Sequence, residues 1–301
     1  MKQILFITLS NIGDAVMTTP ALERLHQLYP VAAIDLVCDP RSKILFEHCP
    51  YRGEVFLKDK KQGKKGLFKL IGKLRKKRYD LIVDLRTDGL TYLLRAKKRL
   101  TKLGHQSYGP HAVEDLISII DNINPEKHIP PTKVWLDKTH IDEANALTSS
   151  LPGKKWLAIG PGANWEPKIW NAANFASVAN SLKDNIDAVI LLGGPGDTKY
   201  SDTTASQLDL PFLDLTGKTD LLTTSAVIQK CALFLGNDSG LGHLASAVDT
   251  PTVTVFGPGK PERYHPWHPD NLWLSGKASL LDNIGFEAVS KAARQLIEIR
   301  Q

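Results

Sequence analysis

An α/β fold built on doubly wound parallel sheets is predicted by three features of this sequence. Short apolar or β-branched runs alternate with segments of helical periodicity along the chain. Glycine-rich turns follow several of those runs directly, as they do where a parallel strand hands over to a helix. The 301 residues, 42% of them hydrophobic, suffice for two cores, and the expected domains are 1–150 and 151–301.

The first half sets out this alternation. Ile4 to Leu9 reads as a strand, Ser10 to Asp14 as a turn, and Ala15 to Leu28 as a helix with Val16, Ala21, Leu22, Leu25 and Leu28 on one face. Strands are expected at Ala33 to Cys38, Glu54 to Leu57, Leu81 to Leu85 and Thr101 to His105. Asp14 would project from the carboxyl edge of the sheet, either as a helix cap or as a general base. The turn lacks the G-x-G-x-x-G fingerprint, which argues against a nicotinamide enzyme.

Residues 139–153 read as a polar helix and a linker, after which the pattern restarts. Trp156 to Ile159 and Ala188 to Leu192 are expected strands, with a helix from Asn171 to Leu182 between them. Ala232 to Leu235 is a further strand, followed by the turn Gly236 to Gly240, a small-residue helix from Leu241 to Val248, and the strand Thr252 to Phe256. Three glycine-rich loops thus follow three strands, and on one sheet edge their N–H groups would cradle a diphosphate. Ser239 and Gly240 stand at a helix start, where unpaired N–H groups and the helix dipole favour an anion. His243, one turn in, faces the same mouth or lies on the surface. Asp238 or Ser239 could equally be a plain N-cap. Lys168 is the one cation of the first loop and would neutralise phosphate charge unless it is a simple surface lysine.

Charge separates the halves. Residues 1–150 hold 25 Lys and Arg against 17 Asp and Glu, and the remainder 13 against 15, which points to two domains with different ligands. Lys58 to Arg78 holds eleven basic residues and one acid, with Leu67, Phe68, Leu70, Ile71 and Leu74 on one helical face and Lys69, Lys73, Lys76 and Lys77 largely on the other. Such a helix either packs on the sheet with its lysines in water or meets an anionic membrane surface. Nucleic acid is disfavoured, because Phe68 is the only aromatic and no stacking platform is interleaved.

Cys38, Cys49 and Cys231 are scattered with no C-x-x-C pair, against a disulfide framework or zinc site. The N-terminal apolar run is too short for a signal peptide, and no run approaches the ~18 apolar residues of a membrane span. A soluble, cytoplasmic protein is expected.

In order and spacing, ITLSNIGDAVMTTPALERLHQLYP, GPGANWEPKIWNAANFASVA, LLGGPGD and GNDSGLGHLASAVDTPTVTVFGP resemble the ADP-heptose lipopolysaccharide heptosyltransferases of glycosyltransferase family 9. The likeness runs from Ile4 to about Pro266. Leu241-Gly242 and the lysine-rich segment depart from the pattern of some relatives.

The resemblance implies a GT-B fold, two Rossmann-like doubly wound domains facing a central cleft. The acceptor would lie on the N-terminal domain, the nucleotide sugar in the C-terminal one, and a last helix at 285–299 would pack back on the first. Carried over, Asp14 matches the catalytic base and Lys168 the lysine at the donor phosphates. Asp238, Ser239, Gly240 and His243 match the donor block. Ala163 and Asn164 match phosphate or sugar contacts, Thr219 the adenine pocket, and Asp197 is the candidate ribose acid. No D-x-D occurs, so transfer without a metal or other cofactor is expected. The resemblance implies ADP-heptose as donor substrate, and with Asp14 as base the hydroxyl would attack opposite the leaving group, inverting the centre. An anionic, Kdo-bearing lipid A core acceptor at the inner leaflet would be drawn to basic residues including Lys60, Lys61, Lys64, Lys73 and Arg78. The rival readings are a same-fold transferase for another donor or acceptor, a sugar-nucleotide epimerase, and a GT-B binding protein without turnover.

Overall fold

A computed structural model describes residues 2–121, 128–276, 278 and 280–299. They divide into two compact units, 1–135 and 136–301. The boundary lies ahead of the expected 150, because helix α5 (Lys138–Thr148) joins the second unit. It packs on α8 (Leu221–Gln229) through buried Ala144 and Thr148, and Thr223 Oγ1 donates to Glu143 at 2.8 Å.

The first unit holds β1 (Ile4–Ile7), β2 (Ile34–Cys38), β3 (Arg52–Leu57), β4 (Tyr79–Asp84) and β5 (Ala96–Thr101). All pair in parallel in the order β3-β2-β1-β4-β5. Strand order reverses between β1 and β4, the point at which open α/β sheets bind ligands. β1 and β2 are buried throughout, as a sheet covered on both faces requires. β5 sits earlier than the expected Thr101 to His105. It is an edge strand, and its exposed Lys97 and Lys98 break the apolar signal while guarding the edge.

The single helix expected from Ala15 to Leu28 is two, α1 (Ile12–Met17) and α2 (Thr19–Leu28). Pro20 has no N–H to continue the ladder, and Thr18 Oγ1 turns back to Ala15 O at 2.6 Å. Asp14 therefore lies in the first turn of α1 rather than in the preceding turn.

Helix α3 (Gly63–Leu74) confirms the helix in the basic segment, and Leu70, Ile71 and Leu74 pack with Leu5, Ile7 and Ile82. Phe68 departs from the expected apolar face and is 71% exposed. Lys77 is anchored 2.7 Å from Asp35 and 3.2 Å from Glu54, so it does not join the free lysines. Helix α4 (Ala112–Asp121), unread in the sequence, is tied to α2 by the buried pair Arg24 and Asp121 at 2.7 Å.

The second unit holds β6 (Trp156–Gly160), β7 (Ala188–Leu191), β8 (Phe212–Asp214), β9 (Leu233–Asn237), β10 (Thr252–Phe256) and β11 (Asn271–Ser275). The parallel order is β11-β10-β9-β6-β7-β8, with the reversal between β9 and β6. Helices α6 (Ala172–Ser181), α7 (Thr198–Ala205), α9 (Gly240–Ala247), α10 (Pro261–Tyr264) and α11 (Phe286–Ile299) complete it. Val289, Ala293, Leu296 and Ile297 of α11 are buried in this unit's core, against α6, β9, β10 and β11. The resemblance implies that this helix packs back on the first domain, but its apolar face does not. It serves the second, because residues one helical turn apart form a continuous stripe that matches the sheet beneath.

Candidate functional site

The carboxyl edge of the second sheet is shaped by small residues. Gly160 and Gly236 are register partners on β6 and β9. A Cβ on Gly236 would lie 2.8 Å from the Phe234 ring and 3.1 Å from Gly160 O, and one on Gly160 3.1 Å from Leu241, so both glycines leave room for the Phe234 ring and the first turn of α9. Asn237, fully buried at the end of β9, accepts from Trp170 N at 2.9 Å and donates to Pro161 O at 2.8 Å. One amide thereby pins both ends of the 161–170 loop to β9. In the sequence Asn237 reads as part of the polar turn Gly236 to Gly240, with no role of its own. A buried amide at a strand's carboxyl end is the signal that marked it.

That loop presents Lys168, whose Nζ lies 2.5 Å from Asp238 Oδ2. The pair is partly solvent-exposed on the lysine side and nearly covered on the aspartate side. The loop after β10 closes in beside it. A Cβ on Gly257 would lie 2.9 Å from Pro167 O, and one on Gly259 3.2 Å from Asp238 Oδ2. Loops from β6, β9 and β10 therefore meet at one ion pair.

Neither side chain considered as an N-cap serves as one. Ser239 occupies the N-cap position of α9 without a side-chain cap bond, and its buried Oγ has no partner. Gly240 begins the helix. His243 is buried rather than on the surface, and its Nδ1 is unpartnered too. Burial pushes its imidazole down to about 4, with smaller contributions from the charges of His265 and Lys168, so the ring is neutral at physiological pH. Thr254 Oγ1 is a further buried, unpartnered group of β10. Ser239 and His243 thus retain hydrogen-bonding capacity at the start of α9, where the helix dipole favours negative charge, while Thr254 lies midway along β10.

Ala163, Asn164 and Asp197 share a cavity of about 420 Å³, lined also by Glu166, Ile169 and Tyr200. Asp197 has a structural duty there. Its Oδ2 accepts from Gly194 N at 2.8 Å, and a Cβ on Gly162 would strike Oδ1 at 2.1 Å, so the carboxylate fastens the β7 loop against the β6 loop. Thr219 is held in the loop before α8 by a 2.8 Å hydrogen bond to Thr224 Oγ1.

In the first unit, Asp14 follows β1 at the switch point and is partly exposed, accepting from Asn11 Nδ2 at 2.9 Å. Lys60, Lys61, Lys64, Lys73 and Arg78 are all exposed, on α3 and the chain flanking it. No described helix is long and apolar enough to cross a membrane.

Two doubly wound parallel α/β units are the architecture of the GT-B glycosyltransferases. The chain belongs to glycosyltransferase family 9 (heptosyltransferase), whose family model matches residues 67–282. It is 28% identical to lipopolysaccharide heptosyltransferase 3 of Escherichia coli (strain K12), over 85% of this chain and 82% of that protein. A family 9 glycosyltransferase from Veillonella parvula DSM 2008 matches its fold with a TM-score of 0.87 at 24% identity, over 98% of this chain and 97% of the other. The E. coli ADP-heptose lps heptosyltransferase II matches with a TM-score of 0.81 at 23% identity, over 99% of both chains. The fold class expected from the sequence is the one observed.

Proposed function

We propose that this glycosyltransferase moves a heptose from ADP-heptose to an anionic lipopolysaccharide-core acceptor, of the Kdo- or heptose-bearing lipid A type, with inversion and without a metal. The observation that carries this reading is the Lys168–Asp238 pair beside the unpartnered Ser239 Oγ and His243 Nδ1 at the start of α9. A diphosphate there meets a cation, a hydroxyl, a ring nitrogen and a helix N-terminus. The names of the relatives supply the sugar and the acceptor class.

In the reaction, an acceptor hydroxyl attacks the anomeric carbon from the face opposite the diphosphate. The new C–O bond forms as the bond to the phosphate oxygen breaks, and ADP departs with that electron pair. Asp14 takes the hydroxyl proton. Lys168 and the start of α9 hold the growing negative charge on the diphosphate, the role a metal plays in other transferases. Asn164 and Ala163 line the sugar or phosphate side of the donor pocket, Thr219 the adenine side, and Asp197 the ribose.

The acceptor is lipid-linked, so the chain works at the inner leaflet as a cytoplasmic, peripheral protein. Lys60, Lys61, Lys64, Lys73 and Arg78, with exposed Phe68 among them, supply the charge and the apolar tip for that surface.

Calorimetry with ADP-heptose, ADP-glucose, UDP-glucose and GDP-mannose, followed by product analysis with Kdo-lipid A, tests the reading. ADP-heptose should bind tightest and yield a heptosylated lipid with inverted anomeric configuration. Tighter binding of a uridine or guanosine sugar, or a retained configuration, would overturn it.

A further inference from the structure

Arg86 follows β4 at the switch point of the first sheet, the strand directly beside β1. Its side chain is 9% exposed, and Nε, Nη1 and Nη2 are all buried without a hydrogen-bond partner. Other arginines of this unit behave differently. Arg24 gives Nη1 to Asp121, and Arg99 gives Nε to Thr91 O at 3.1 Å and Nη2 to Leu94 O at 2.7 Å. A guanidinium shielded from water and left unpaired is costly, so a protein keeps one where something else is to complete it.

The neighbouring carboxylates do not complete it. Asp88 Oδ2 stands 3.9 Å from Nε, outside hydrogen-bond reach, and is engaged by Lys58. Asp39, at the end of β2, accepts from Arg41 N, Nε and Nη2. Asp84 turns Oδ1 to the N–H groups of Arg86 and Thr87, at 3.0 and 2.9 Å, while its buried Oδ2 is also unpartnered. Arg86 lies close enough to Cys38, the last residue of β2, and to Asp39 just beyond it for its charge to favour their ionised forms, two strands from β4 and so toward the carboxyl end of β1. Asp14 enters from the chain leaving that same strand.

We infer that Arg86 is the anion-recognising residue of the first unit, receiving a carboxylate or phosphate of the sugar acceptor at the β1–β4 switch point. This rests on the reading of the first unit as the acceptor side. A planar guanidinium with all its donors unpaired matches two oxygens of one anion at once, which an ammonium on a flexible stem does not. The lysines of α3 differ in kind: they are exposed charges suited to a surface, whereas Arg86 is a buried fork suited to one group in one orientation. Held there, the acceptor's acid fixes the hydroxyl that faces Asp14.

The test is direct binding, and it needs no turnover. Kdo, a sugar carboxylate, and inorganic phosphate are titrated separately into the full-length wild type, Arg86→Lys and Arg86→Met, with ADP as a reference ligand for the second unit. One of the two anions should bind the wild type and weaken about tenfold or more in both variants, with ADP affinity within about twofold. Whichever binds identifies the group as carboxylate or phosphate. Absence of binding by either anion in the wild type, or equal affinity in wild type and Arg86→Lys, overturns the site. Arg86→Met should keep or raise Tm, since it removes a buried charge whose donors make no hydrogen bond and whose ionic contact with Asp88 is long, at 3.9 Å. A lowered Tm with anion affinity intact in Arg86→Lys would make the residue a packing element and also overturn it. Donor selection and product configuration judge the functional reading separately, so the two can fail independently.

Discussion

Lys168 holds its ammonium 2.5 Å from the carboxylate of Asp238, although one residue belongs to the loop after β6 and the other to the turn after β9. The pair is partly exposed, so its contribution to folding is small, within about 1 kcal/mol. In the function proposed above, its value lies in charge held ready at a helix start. Lys168→Ala should leave Tm nearly unchanged and weaken ADP-heptose binding or catalysis by about 2–4 kcal/mol, read by calorimetry and kcat/KM. An unchanged kcat/KM would return Lys168 to the status of a surface lysine.

Asp14→Asn should lower kcat by roughly 10²–10⁴-fold, the range for loss of a general base. ADP affinity should stay within a few-fold, because the donor site proposed above lies in the second unit. Turnover at the wild-type rate would remove Asp14 from the chemistry.

Asn237→Ala leaves Trp170 N and Pro161 O buried without their side-chain partner. Each lost bond costs about 1–3 kcal/mol, so a total near 2–6 kcal/mol is expected in urea unfolding. Donor affinity should fall in parallel, since the same amide positions the Lys168 loop. A variant that unfolds like the wild type would show that the loop is held by other means.

His243 gives the fold a pH dependence whose sign can be worked out. The ring titrates near 4 in the folded chain and at the ordinary 6.5 when exposed. Between those values the unfolded chain binds a proton that the folded chain refuses. Stability from this group is complete above pH 6.5, falls by up to about 1.4 kcal/mol per pH unit on acidification, and levels off below pH 4. His243→Gln should flatten that segment of a Tm-against-pH curve. The same slope in the variant would assign it to another group.

Replacing Lys64, Lys69 and Lys73 together by Gln should weaken cosedimentation with phosphatidylglycerol vesicles by about 3 kcal/mol, near 1 kcal/mol per charge. Transfer to a short soluble acceptor should change little. Equal losses on both acceptors would place these lysines at the sugar rather than at the lipid.

The order of elements was legible in the chain because apolar periodicity is local. β1, β2, β6, β7, β9 and β10 emerged within a residue or two of their expected limits wherever the strand is buried on both faces. Edge strands were harder to read. β5 was misplaced and β8 and β11 passed unseen, because exposed positions need not be apolar. The block from Asp238 to His243 was likewise visible, since glycine, a capping-type residue and a histidine at fixed spacing are sequence facts.

Sequence by itself therefore determined two parallel-sheet cores, the family motifs and an uneven charge. Tertiary structure decided what each polar group does: that Lys168 faces Asp238, that Asp197 latches two loops, that α11 belongs to the second core, and that Asn237 and Arg86 matter at all. The reason is physical. Secondary structure follows from neighbours a few residues apart, whereas a buried charge or amide is defined by partners 67 or 70 positions away along the chain, or by the lack of any.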